Sequence, residues 1–255
     1  MPKPLSRKPR RLPSPPTRNA RNAKRGCDFT QGSTIIVETK TATVEIDLRT
    51  DKGLFVCVGP NRGDSNLAKL LAGHDRFIMF EPHPEAAAWL RDRNAAAADR
   101  FHVVEAACSL AWGQQQLHLY NTNGVSSSLG KCTSQIQDLY QHVDLSHQGS
   151  VLVQTVHLGE WLEMHAIETI KTLVIDAQGM DLAILKTLEP YLRRRAIARI
   201  IHEVDADGVQ SYDLNFDNSY SAAVAFMESI GGYTHGRMPH CNNWNFDIEW
   251  ILKDD

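Results

Sequence analysis

The sequence predicts a doubly wound α/β domain with a mostly parallel sheet, and three observations carry that reading. Apolar runs at residues 54–58, 77–80 and 172–175 show little polar alternation, the pattern of strands buried on both faces of a parallel sheet. Helical patterns separate such runs at the spacing of βαβ units. The first run ends in Gly59-Pro-Asn-Arg-Gly63, a turn in which backbone approaches something closely.

Each element follows in order. Residues 33–40 and 41–48 alternate apolar with polar side chains and read as an antiparallel entry hairpin. After the strand at 54–58 come a helix at 66–72, a strand at 77–80 and an Ala-rich helix at 84–94 with Pro84 at its start. A third strand is expected at 101–107. The rhythm then breaks, with a strand at 114–120, a polar loop at 121–128 and a strand at 151–157, which together read as an inserted hairpin. A short helix at 158–164 leads back into βαβ order: strand 172–176, helix 180–195, strand 197–204. The helix at 219–230 carries Ala222, Ala223, Phe226, Met227 and Ile230 on one face and is stopped by Gly231-Gly232. Residues 233–235 and 248–252 close the sheet.

Composition narrows the setting. The 255 residues are 42% hydrophobic and 22% charged, ordinary for a globular chain and enough to bury a core without disulfides or structural metal. No run of 18 apolar residues exists and the first residues lack an apolar signal segment, so the expected compartment is the cytoplasm. The five cysteines form no C-x-x-C pair and read as reduced thiols. Residues 1–26 hold nine basic side chains, no acid and six of the eleven prolines, which reads as a disordered tail. Organelle targeting or an anionic partner such as RNA is a possible use for it. Removing those nine from the 27 basic residues leaves 18 against 30 acidic ones, so the domain at 27–255 is near −12 and a poor match for nucleic acid.

The chemistry lies at the expected carboxyl ends of the strands, where doubly wound sheets bind ligands. The glycine turn admits a ligand that a Cβ would exclude, although packing alone also uses such glycines. Eighteen residues beyond Gly63, Glu81 ends the second strand, placed to accept hydrogen bonds from both hydroxyls of a ribose. A nicotinamide dinucleotide wants G-x-G-x-x-G, and Asn61 stands where the middle glycine belongs. With no P-loop lysine either, a nucleoside without phosphate fits better, and S-adenosylmethionine is the cofactor expected.

Three segments together, Gly59-Pro-Asn-Arg-Gly63-Asp64, Phe80-Glu-Pro-His-Pro84 and Leu173-Val-Ile-Asp176-Ala-Gln-Gly179-Met-Asp181, resemble the successive signatures of FkbM-type S-adenosylmethionine-dependent methyltransferases over residues 54–204. The resemblance implies a seven-stranded, Rossmann-like class I methyltransferase fold and O-methylation of a small molecule or glycan. It places the methionine end of the cofactor along Gly59, Asn61 and Gly63, the ribose on Glu81 and the acceptor near the loop after Asp176. His83 is expected close to the adenine or ribose. Departures from the family pattern fall at Cys57, Pro60, Val174 and Gln178. A carboxylate at 57 ordinarily helps hold the cofactor's amine, and a thiol cannot replace its charge, a loss for which Glu105 or Asp176 is the candidate compensation.

Methyl transfer is a direct displacement, so the protein aligns the acceptor oxygen, excludes water and offers a base. Asp176 and Glu203 are the catalytic candidates; the structural alternative for Asp176 is a helix cap, and of the alternating pair His202-Glu203 one points into the sheet face, with His202 read as a buried core histidine. Asp181 either meets substrate or complements a helix end. His235, His240 and Cys241 lack metal-ligand spacing, and no metal is expected; with residues 242–245 they read as a loop over the crevice. The alternative function, fed by Cys57, Val174 and Gln178, is a catalytically silent methyltransferase-fold scaffold or assembly factor.

Overall fold

A computed structural model describes residues 53–63, 65–121, 123–141, 143–238 and 243–254, with the backbone of two earlier strands at 34–38 and 43–47. The expected tail at 1–26, and His240, Cys241 and Asn242, lie outside the described residues.

The entry hairpin is present: β1 (Thr34–Glu38) pairs antiparallel with β2 (Thr43–Asp47). The βαβ series follows as β3 (Leu54–Val58), α1 (Ser65–Leu71), β4 (Arg76–Phe80), α2 (Pro84–Arg93) and β5 (Phe101–Val104). All five residues of β3 are buried, as the uninterrupted apolar run requires. The expected strand at 101–107 is two strands. The Val104 carbonyl accepts from the backbone N–H of Glu81 and of Ala106, each at 2.9 Å, which turns the chain out of the sheet. It re-enters as β6 (Ala107–Ser109) in a second sheet.

The insertion contains β7 (Gly113–Tyr120), β8 (Lys131–Cys132), α3 (Ser134–Leu139) and β9 (His147–His157). β7 and β9 pair antiparallel, β6 flanks β9 in parallel, and this three-stranded sheet is the inserted hairpin enlarged. Thr133 caps α3 by accepting from Ile136 N at 3.2 Å.

The chain returns through α4 (Leu158–Met164) to β10 (Ile170–Ile175). The single helix expected at 180–195 is broken into α5 (Asp181–Lys186) and α6 (Glu189–Arg193). Pro190 has no N–H to donate to the Lys186 carbonyl, so the helix stops and restarts with proline in its first turn. Then come β11 (Ile197–Asp205), β12 (Tyr212–Asp213), α7 (Tyr220–Ile230), β13 (Tyr233–Arg237) and β14 (Asn245–Leu252). Ser219 caps α7, and Gly231 ends it at φ 70°.

The main sheet has seven strands in the order β13-β14-β11-β10-β3-β4-β5. It is mixed: β14 runs antiparallel to both β11 and β13, and the five strands from β11 to β5 are parallel. One face packs Val56, Val58, Leu173, Ile175 and Ile200 against α4 to α7. The other packs Phe55, Cys57, Phe77 and Met79 against Ala68 and Leu71 of α1. Among the described residues no helix is long and apolar enough to cross a membrane.

Candidate active site

Strand order reverses between β3 and β10, and a crevice outside the carboxyl ends of the strands at such a switch point is where doubly wound folds bind ligands. A cleft of about 520 Å³, counting its open mouth, lies there. Gly59, Asn61, Glu81, Asp176 and Gln178 line it, and Gly124, Val125, Ser127 and Ser128 of the insertion form its outer wall.

The glycine turn is demanded by the protein itself. Gly59 has φ 75°, and a Cβ on it would lie 1.9 Å from the Asp176 backbone oxygen, because the tips of β3 and β10 touch there. Gly63, at φ 74°, closes the turn by donating from its N–H to the Pro60 carbonyl at 2.7 Å. Asn61 takes a left-handed φ of 49°, the conformation a glycine would supply, and adds a side chain that donates to the Asn123 carbonyl at 3.2 Å. The residue that breaks the dinucleotide pattern thus ties the turn to the insertion.

Glu81 sits on the cleft floor, 3% exposed. Its Oε2 accepts from Asn61 N and its Oε1 from His83 N, both at 2.7 Å. Burial drives its carboxyl up to about 7, against the downward pull of those two N–H groups, and the Asp176 charge adds to the rise. Each oxygen has a second lone-pair direction for a ligand hydroxyl.

Asp176 stands exposed on the opposite side of Gly59. The Tyr212 hydroxyl donates to Gln178 Oε1 at 2.6 Å, and Gln178 Nε2 donates to Asp176 Oδ1 at 2.5 Å. Ser128, 1% exposed, donates to the Gln178 carbonyl at 2.7 Å and accepts from Gly130 N at 3.0 Å. Asp181 is fully buried and takes the N–H of Ala177 and of Gly179 on its two oxygens at 2.9 and 3.0 Å. It braces the 177–179 loop from behind and does not meet the cleft. Burial, reinforced by the Asp176 charge, pushes its carboxyl well above the usual range.

Several expected site residues lie elsewhere. The Cys57 side chain packs with Phe55, Phe77 and Met79 in the core on the α1 face. Gly63 faces a small apolar hollow behind the turn. Glu105 is ion-paired with Arg91 at 2.6 Å on the surface, so it compensates for nothing at residue 57. His83 contributes its backbone N–H, while its ring lies beside Gly124. Glu203 is half-buried behind the cleft wall, where Asn245 Nδ2 donates to it at 3.0 Å and Tyr140 in turn donates to Asn245. Burial and the surrounding charges of Asp176, Asp181, Asp247 and Asp205 push its carboxyl well up. His202 is a core residue: fully buried, it accepts from Trp250 Nε1 at 3.1 Å, and burial lowers its titration to about 4.

Sequence reasoning missed Tyr212 and read Ser128 only as part of the polar loop at 121–128. Both act through partners on other elements, Ser128 and Gln178 being fifty positions apart, and neither carries a local signal. Two further observations bear on what the cleft holds. Ser127 lines it, and the His83 ring lies beside Gly124 of its wall; Ser127 Oγ and His83 Nδ1 are both buried and neither has a hydrogen-bond partner among the described residues. A buried polar atom left unmet costs about 1–3 kcal/mol, so such atoms fit a site completed by a polar ligand. A nucleoside whose hydroxyls meet Glu81 suits this donor and acceptor set.

The strand order, the reversed β14 and the switch-point cleft define a Rossmann-like class I methyltransferase fold. The model of the methyltransferase FkbM domain matches residues 58–231, and the chain belongs to that family. The crystal structure of methyltransferase FkbM from Methylobacillus flagellatus KT superposes with a TM-score of 0.50 at 14% identity, over 79% of this chain and 44% of that one. This chain thus spans less than half the length of the Methylobacillus protein. Precorrin-6y C5,15-methyltransferase from Geobacter metallireducens GS-15 aligns over 81% of this chain and 84% of its own at 14% identity and a TM-score of 0.42. Fibrillarin from Aeropyrum pernix, solved with natively bound S-adenosyl-L-methionine, aligns over 79% and 67% at 11% identity and a TM-score of 0.41. At these identities the likeness is one of fold. Among curated proteins no sequence matches the chain.

Proposed function

We propose that the protein is an S-adenosylmethionine-dependent methyltransferase acting on a hydroxyl of a small molecule or glycan. One observation carries the cofactor reading: a buried carboxylate, Glu81, at the tip of β4 on the cleft floor, oriented by two backbone N–H groups with acceptor capacity to spare. Membership of the FkbM family supports the reaction class, and the oxygen acceptor follows the family resemblance. A cleft in which no described Lys or Arg takes part supports a ligand without phosphate.

When bound, the cofactor supplies a methyl group activated on a sulfonium sulfur. The chain's own residues hold and shield it. Glu81 receives the ribose hydroxyls, and ionised it is the stronger acceptor. The turn at 59–63 lets the ligand lie against backbone, and the wall at 124–129 excludes water from the displacement. The acceptor enters beside Asp176 and Gln178, whose polar atoms orient its hydroxyl, and the proton released from that hydroxyl passes to a nearby base or to water.

Calorimetric titration with S-adenosylmethionine and S-adenosylhomocysteine tests this on the wild type and on Glu81→Ala. Micromolar binding, weakened tenfold or more in the variant, is the expected result. Absence of binding to either ligand at millimolar concentration refutes the reading and favours the silent scaffold.

A further inference from the structure

We infer that the groove beside β12, on the far side of Tyr212 from the cleft, receives an amine-bearing sugar of the acceptor. The inference rests on the reading above and names the class of acceptor that its site takes.

The groove measures about 1400 Å³, counting its open mouth, and is bordered by Gln135 of α3, the loop at 206–219 and the start of α7. Gly179 and Tyr212 line it while Gln178 lines the cleft, so one loop borders both. The Tyr212 ring is the partition. A Cβ on Gly179 would meet that ring at 3.0 Å, and the Tyr212 hydroxyl reaches past it to Gln178 Oε1 at 2.6 Å. A molecule seated in the groove crosses the edge of the 178–179 loop to set a hydroxyl beside Asp176.

The lining suits a sugar. Phe216 is 36% exposed and its ring meets no other ring and no cation among the described residues, which leaves a flat apolar surface for the C–H face of a pyranose. Gln210 donates from its amide to the Tyr212 and Leu214 carbonyls at 3.1 and 3.2 Å, and its own amide oxygen is left to accept. Asn215 is exposed in the same groove and adds an amide that both gives and takes hydrogen bonds. One aromatic face with a few convergent polar groups is the usual make-up of a small-molecule site.

The charge selects the amine. Asp205, Asp207 and Asp217 line the groove, and no described Lys or Arg does. They lie close enough to feel one another, since the Asp217 charge opposes ionisation of both Asp205 and Asp207. Asp205 is 5% exposed and committed to Ser211. The other two are exposed. Asp207 accepts from Ser221 Oγ at 2.6 Å and Ser221 N at 2.9 Å, and Asp217 from Ser219 N at 2.9 Å. Hydrogen bonds from these serines hold both carboxyls below the usual range, so both are ionised at neutral pH. Lys186, whose charge Asp217 also feels, stands over the Phe226 ring and does not line the groove. An acceptor carrying a uronate or a phosphate meets repulsion from two ionised carboxylates. A protonated amine beside Phe216 is attracted by the carboxylates and by the ring face together.

The test compares three tetrasaccharides on the full chain at low salt and below neutral pH, where sugar amines are protonated: the glucosamine tetramer, its N-acetylated form and the galacturonate tetramer. Calorimetry, with saturation-transfer NMR for the weakest ligand, is expected to show the glucosamine tetramer binding about tenfold more tightly than the N-acetylated one, the value of one charge-assisted contact. The galacturonate tetramer should not bind. In the double variant Asp207→Asn/Asp217→Asn the preference for the amine should fall below about twofold. Phe216→Ala should weaken the glucosamine and N-acetylated tetramers alike, about threefold to tenfold. Unchanged S-adenosylhomocysteine binding certifies that these surface variants are folded, and a urea melt does so independently. Equal affinity for the three tetramers, binding of none, or an amine preference that survives the double variant overturns the assignment. A wild type that binds no S-adenosylhomocysteine refutes the cofactor reading instead.

Discussion

Lowering the pH should weaken nucleoside binding through Glu81 alone. Its carboxyl titrates near 7 because burial disfavours the charge more than two backbone N–H groups stabilise it. From the ordinary 4.5, that elevation is worth roughly 3 kcal/mol at 1.36 kcal/mol per unit. The sign follows from proton binding. Between 4.5 and 7 the folded state holds a proton that the unfolded state has released, so stability falls as pH rises through that window and the full cost is felt above it. A ribose that hydrogen-bonds to the ionised form repays part of that cost, so affinity rises with pH where stability falls. About one-tenth of Glu81 is ionised at pH 6 and nine-tenths at pH 8, so 5′-methylthioadenosine should bind about tenfold more tightly at pH 8. This ligand has no amino-acid end and reports the ribose contact without the ammonium. Calorimetry at pH 6, 7 and 8 reads the slope, and Glu81→Gln, which keeps the shape but cannot ionise, should abolish it. A flat wild-type profile, or an unchanged slope in Glu81→Gln, refutes the reasoning.

Two substitutions test the framework around the cleft. Gly59→Ala forces a side chain into a left-handed φ of 75° and sets its Cβ 1.9 Å from the Asp176 oxygen. The backbone penalty of roughly 1–2 kcal/mol and an overpacking cost of roughly 1–3 kcal/mol make about 3 kcal/mol in a urea melt; a change under about 1 kcal/mol would contradict the contact. Ser128→Ala removes a buried hydroxyl that joins the Gln178 carbonyl to Gly130 N. It should cost about 1–3 kcal/mol and speed amide exchange at Gly130, and unchanged exchange there would show that the hydroxyl does not hold the wall.

How much of this was readable in advance depends on how local each signal is. The buried strands expected at 54–58, 77–80 and 172–176 declare themselves because both of their faces must be apolar, and Glu81 was legible as the residue that ends one of them. The same property hid the direction of Cys57. On a strand apolar on both faces, alternation does not say which residues look toward which layer, and the structure turns Cys57 with Phe55 toward α1 and away from the cleft. The division at Val104 was invisible because the apolar character continues through Ala106, whereas Pro190 stood in plain view inside the expected helix at 180–195 and should have split it. The β8–β12 pair, two residues on each side, is too short to leave a periodicity.

What that pair does explains why the cleft chemistry was the least legible part. β12 brings Tyr212 beside Gln178, and through it a residue 34 positions away decides which way an amide faces Asp176. From the sequence, Gln178 stands as a departure from the family pattern and feeds the reading of a silent protein. In the structure it is the one member of the 176–179 loop whose side chain donates a hydrogen bond to the exposed carboxylate. An acid at that position would add a fifth negative charge to Glu81, Asp176, Asp181 and Glu203, three of which already sit at raised values because of burial and one another. The amide therefore preserves the charge of Asp176 where a carboxylate would compete with it.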